Sequence, residues 1–289
     1  MKPGAAVSGR IIDYFCNVFT ATGLKKIFVD NPDVYEVMQW WGIDERLNGH
    51  TAAEFLKEIL EPAGIGKVLI PISALGSYDR PGAVHTVDPE DVIPLIDEYP
   101  DHFYGVARIN PYERMKGVAE IEYLVKNHNF KAAFYHPYGF GTPLNGRDVW
   151  PFYAKCQELG IPVTAQVGHS GERMPSELGR PIHVDDIALY FPELKFVASH
   201  TGWPWCEELI ALAWKHRNVY IGTCAHKPKY WDPKLVQFIN SRGRGKVMWG
   251  TDYPILMPQE CIDQIDELGL KPESREELLW GCAEKVFDI

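Results

Sequence analysis

His200 and Asp252 each follow a short apolar run, Leu194-Lys-Phe-Val-Ala-Ser-His200-Thr-Gly and Lys246-Val-Met-Trp-Gly-Thr-Asp252-Tyr-Pro. A histidine and a carboxylate leaving buried strands can hold a metal ion or move a proton. An idle polar group would be costly to bury there, so both are read as functional. Other polar residues fall at similar junctions. Asp13 and Asn17 follow the first apolar run, His136 the fourth, and Gln166 and His169 the fifth. Thr223, Cys224 and His226 follow the seventh. A plainer reading accompanies each histidine: beside Pro or Gly it is often a hydrogen-bonded turn residue. His226, in a lysine-bearing loop, reads as exposed.

The elements that must position these groups alternate along the chain. Strands are expected at Ile11–Phe15, Lys67–Ile72, Phe103–Ile109, Lys131–His136, Pro162–Val167, Lys195–Ser199, Val219–Gly222 and Lys246–Trp249. Each is rich in Val, Ile, Phe or Ala and too short for a helix. Helices are expected at Ala52–Leu60 behind a Thr51 N-cap, Pro89–Glu98, Arg114–Asn127, Trp150–Glu158, Val184–Tyr190, Cys206–His216, Pro233–Asn240 and Pro258–Leu268. A last helix from Arg275 to Phe287 would start on Ser274, with Glu277 completing a capping box. Eight strand–helix pairs in 289 residues predict a single-domain (β/α)₈ TIM barrel over 1–289. The strands of such a barrel run parallel, so their C-terminal ends meet at one mouth. A doubly wound sheet is the alternative, but no glycine-rich phosphate turn follows the first strand. The aromatic stretch 19–50, carrying Phe28, Tyr35, Trp40 and Trp41, interrupts the rhythm and predicts a lid or an interface.

Composition narrows the function classes. The chain is 46% hydrophobic and 24% charged, with a net charge of -10. Nucleic-acid surfaces need clustered Lys and Arg, so no nucleic-acid partner is expected. No apolar run approaches the roughly 20 residues of a membrane span, and Met1–Arg10 lacks the apolar core of a signal peptide. A cytoplasmic protein is expected, and its six scattered cysteines read as free thiols.

From His136 onward the segments resemble the amidohydrolase superfamily, in its amidohydrolase-2 branch of aminocarboxymuconate semialdehyde decarboxylase and resorcylate decarboxylase types. The resemblance rests on His136-Pro, Gly-Ile-Pro162-Val, Phe-Val-Ala-Ser-His200-Thr-Gly, Asn218-Val-Tyr-Ile and Trp-Gly-Thr-Asp252-Tyr-Pro. It implies a metal-dependent hydrolase or decarboxylase-like lyase acting on a small molecule, with one divalent ion, zinc by expectation. In the family the metal sits on a His-x-His pair after the first strand, a His after the fifth and the Asp after the eighth. The corresponding first-strand residues here are Phe15 and Asn17, and Gln166 stands at the fifth. The expected metal ligands are therefore His169, His200 and Asp252. His200 and Asp252 are also the expected catalytic pair, and Asn17, His136, Gln166 and Trp203 are expected to bind substrate. Two alternatives follow from the altered motif. One is a degenerate partner subunit of a heteromeric enzyme, a hydrolase or a metal oxygenase, beside a paralogous barrel. The other is a metal-free acid/base hydrolase. Homo- or hetero-oligomers are expected by the resemblance.

Overall fold

The computed structural model describes residues 9–289, so the leader reading of Met1–Arg10 falls largely outside the described residues. Ten strands occur among the described residues: β1 (Ile11–Asp13), β2 (Ile65–Pro71), β3 (Ala74–Gly76), β4 (Val84–Thr86), β5 (Phe103–Arg108), β6 (Phe130–Tyr135), β7 (Val163–Gln166), β8 (Phe196–Ser199), β9 (Val219–Gly222) and β10 (Val247–Met248). Eight of them form one sheet in the order β1-β2-β5-β6-β7-β8-β9-β10, with every pairing parallel. Each expected barrel strand is present, and the ends are trimmed: β1 stops at Asp13 and β10 covers two residues. The antiparallel hairpin β3–β4 is an addition. Its Ala-Leu-Gly and Val-His-Thr segments are too short to carry a readable alternation.

Irregular backbone bonds close the sheet into a barrel. Tyr14 N–H donates to the Trp249 carbonyl at 3.4 Å, Asp252 N–H to Phe15 at 2.8 Å and Asn17 N–H to Tyr253 at 3.2 Å. The interior is packed by residues that alternate inward, among them Ile12, Tyr14, Leu69, Val106, Phe134, Val197 and Met248. The C-terminal helical segment Cys282–Phe287 plugs the bottom, where Phe287 stacks on Tyr14 at 6.2 Å. The helix leading to it begins at Pro272 behind Lys271, not behind Ser274. Pro272 accounts for the difference: its fixed φ suits the first helical turn and draws the start upstream. Ser274 is instead buried within the helix. Thr51 does cap its helix, with Glu54 completing the box.

Asp13 serves the closure. Its carboxylate accepts from Thr251 N–H at 2.9 Å, from the Thr251 hydroxyl and from Phe15 N–H at 3.2 Å. Burial outweighs these bonds and pushes its pKa up to about 7. The folded state therefore binds this proton more tightly than the unfolded chain does. Its contribution is fully present below about pH 4 and falls away as pH rises towards 7. An Asp13→Asn variant should show a flatter pH dependence of its urea midpoint between pH 5 and 7. Identical slopes for the two proteins would refute this.

Candidate active site

The stretch 19–50 folds over the mouth as helical turns, including the helix Pro32–Trp41. Asn31 caps that helix through Asp33 N–H, and Gly42 ends it in the left-handed conformation. Its inner face presents Val34, Val37, Met38 and Trp41, and Ile27 and Phe28 lie just before it. These side chains roof a cavity of about 430 Å³ whose floor is polar. The Arg173–Glu36 ion pair at 2.8 Å ties this cap to the loop after β7.

His200 and Asp252 meet at the floor, with His200 Nε2 3.2 Å from Asp252 Oδ2. The other carboxylate oxygen accepts from the Asn17 amide at 2.6 Å, and Asn17 also donates to the Tyr253 carbonyl at 2.9 Å. Behind His200, Nδ1 lies 3.7 Å from the Cys224 sulfur, which in turn is 2.9 Å from the Tyr14 hydroxyl. Burial works against an imidazolium here, but the Cys224 sulfur and the Asp252 carboxylate outweigh it and hold His200 up at about 10. His200 is thus a proton carrier at neutral pH. Four residues around the floor, His200, Thr201, Ala225 and Asp252, have left-handed backbone conformations with φ between 56° and 68°. Such strain in non-glycine residues concentrates where groups must be aimed rather than merely packed.

The other expected residues line the same cavity: His136, Gln166, His169 and Trp203. Trp203 stands at the rim, 49% exposed, with its ring edge-on to His169 at 4.8 Å. His226 joins them, contrary to the exposed reading of its loop. Burial, then the neighbouring His200 and His169, push its pKa down to about 3, so it is neutral. Glu172, which the sequence does not single out as a site residue, lines the cavity as well. Its oxygen is 3.3 Å from His136 Nε2, and it accepts from the Ser170 hydroxyl at 2.8 Å. Despite its burial, His136 and Ser170 pull its pKa down to about 2. The spacing of His169 and Glu172 was the available signal, but it could not show that the loop turns Glu172 back into the mouth.

The metal set is the point of disagreement. Among the described residues no group of three His, Cys, Asp or Glu side chains converges as metal ligands, so His169 does not complete a triad with His200 and Asp252. Both Asp252 oxygens face hydrogen-bonding nitrogens. Phe15 packs on Phe134 at 4.7 Å and presents an apolar ring where a ligand would be needed. Asn17 has its NH₂ turned to Asp252, which leaves only a weak amide oxygen. The residues present do not fit the metal expected from the resemblance.

The comparisons with known proteins agree on fold and family. A γ-resorcylate decarboxylase of Polaromonas is 21% identical over 246 residues, covering 67% of this chain and 73% of that protein. An uncharacterised TIM-barrel protein from Bordetella bronchiseptica superposes with a TM-score of 0.78 at 24% identity, covering 96% and 98% of the two chains. A 5-carboxyvanillate decarboxylase from Sphingomonas paucimobilis gives 0.71 at 16%, covering 97% and 99%. A dihydroxybenzoic acid decarboxylase from Polaromonas, solved with manganese and 2-nitroresorcinol, gives 0.67 at 16%, covering 97% of each chain. Manganese in that neighbour supports a divalent metal in the fold family and does not single out zinc. Three of these four proteins are decarboxylases by name, and the described residues of this chain contain no helix long and apolar enough to cross a membrane. The amidohydrolase family model matches residues 24–289, nearly the whole barrel, and the chain belongs to that family.

Proposed function

We propose that this chain is a small-molecule lyase of the decarboxylase-like kind, or a hydrolase, whose chemistry runs through His200 and Asp252. One observation carries the reading: the two side chains meet at the polar floor of a roofed cavity large enough for one small ring. A degenerate partner subunit would more naturally have its mouth filled, yet Phe15 and Tyr14 leave the cavity open. The proton between His200 Nε2 and Asp252 Oδ2 is the one available to a substrate. In a decarboxylation the bond to the departing CO₂ breaks, its electron pair stays on the substrate carbon, and that carbon takes this proton. Solvent then reprotonates the pair. The Asn17 amide keeps Asp252 aimed throughout, and the apolar roof limits water. A bound divalent ion, zinc or manganese, would add Lewis-acid polarisation, but the donors present fall short of a complete site.

Purified protein should be assayed for CO₂ release from 2,6-dihydroxybenzoate and 5-carboxyvanillate and for hydrolysis of small esters and lactones. Each assay should be run as isolated and after exposure to zinc, manganese and iron. Turnover lost in His200→Ala is expected. Absence of turnover throughout, together with a co-purifying homologous barrel, would favour the partner-subunit reading instead.

A further inference from the structure

His136 and Glu172 lie outside the chemistry assigned to His200 and Asp252, yet they face the same cavity. His136 follows β6 and Asp252 follows β10, four strands apart in an eight-stranded barrel, so they stand on opposite walls. His136 is 2% exposed, and neither of its ring nitrogens has a hydrogen-bond partner. Glu172 Oε1 lies 3.3 Å from Nε2 without the alignment of a hydrogen bond. A buried imidazole with two unpartnered nitrogens is rare in folded proteins and calls for a partner. Ser170 holds the Glu172 carboxylate from behind, so its cavity-facing oxygen keeps accepting capacity. No lysine or arginine lines the cavity among the described residues.

We infer that His136 and Glu172 form a second subsite that receives an uncharged hydroxyl-like group of the ligand, its O–H donated to Glu172 and its oxygen accepting from His136. This rests on the reading of the cavity as the substrate site. One hydroxyl gives one His136 nitrogen a partner and supplies a donor to the free Glu172 oxygen. A second carboxylate at this end would meet the Glu172 carboxylate, and no lysine or arginine among the described residues lines the cavity to offset the repulsion. The pair therefore sets specificity: the ligand has a reactive group at the His200–Asp252 end and a neutral donor–acceptor at the other.

Three probes separate the ideas by titration calorimetry on the full chain at pH 7: benzoate, 3-hydroxybenzoate and benzene-1,3-dicarboxylate. A hydrogen bond to a charged group predicts 3-hydroxybenzoate binding about tenfold more tightly than benzoate. The dicarboxylate should bind at least about tenfold more weakly than the hydroxy acid by the same arithmetic. In Glu172→Gln both preferences should shrink to within about threefold, with benzoate affinity unchanged. Should Glu172→Gln fail to fold by circular dichroism, Ser170→Ala, which frees Glu172 to swing, should reduce the hydroxyl preference in the same direction. Benzoate binding with no hydroxyl preference, or an equal preference in the variants, overturns this subsite and leaves the cavity reading standing. Failure of all three probes to bind overturns both.

Discussion

Asp252→Ala is expected to reduce turnover by about 10²- to 10⁴-fold, the range associated with losing a positioned proton-transfer group. The change removes both anchors of the floor. His200 Nε2 loses its acceptor at 3.2 Å, and the Asn17 amide loses its shortest contact at 2.6 Å. The effect should fall on kcat more than on KM, because the roof and the far wall remain. Asp252→Asn makes the sharper test. It keeps the shape but cannot stabilise an imidazolium, so His200 should titrate lower. In the parent protein the raised His200 pKa contributes stability that is fully present below its unfolded value near 6.5. That stability is lost as pH rises through about 10. In Asp252→Asn the loss should still begin near 6.5 but be smaller and end at lower pH, read from the thermal midpoint between pH 7 and 10. Wild-type turnover in Asp252→Ala would end the catalytic reading of this residue.

Gly222→Ala should lower the thermal midpoint by several degrees and impair the site together with the fold. Gly222 ends β9, and a Cβ there would lie 2.0 Å from the Tyr14 hydroxyl and 2.4 Å from the ring carbon that bears it. Tyr14 has nowhere to go. It is fully buried, is stacked on Phe287 and has Gly250 against its ring. Overpacking of this kind costs about 1–3 kcal/mol. The displaced hydroxyl is also the group that touches Cys224, and Cys224 touches His200. A steric change inside the barrel is thereby transmitted to the catalytic floor. Adding Tyr14→Phe should restore part of the midpoint by removing the clashing oxygen, and less of the activity, because the contact to Cys224 is not rebuilt. An unchanged midpoint in Gly222→Ala would show that Tyr14 is not packed as described.

The barrel was legible because its signal is repeated. Eight short apolar runs separated by capped helical stretches leave few other ways to bury so much Val, Ile and Phe, and local punctuation such as Thr51 with Glu54 acts over four residues. His200 and Asp252 were legible for a related reason: a polar group at the end of an apolar strand is either used or costly. Ser274 misled because a capping-box pattern competed with Pro272, and only packing shows which start the helix takes.

By itself, the amino-acid order determined the parallel barrel and the convergence of its strand ends, since hydrophobic periodicity and chain direction are properties of local sequence. Through the resemblance it also marked Phe15, Asn17 and Gln166 as the residues expected where the family has histidines. The tertiary structure alone decided what those substitutions do. It turned Asn17 onto Asp252, set Phe15 against Phe134, kept His169 out of a ligand triad, and drew His226 and Glu172 into the mouth. Those outcomes depend on loop paths and on contacts between residues far apart in the chain. Long-range packing, unlike strand periodicity, leaves no pattern within any window of the chain.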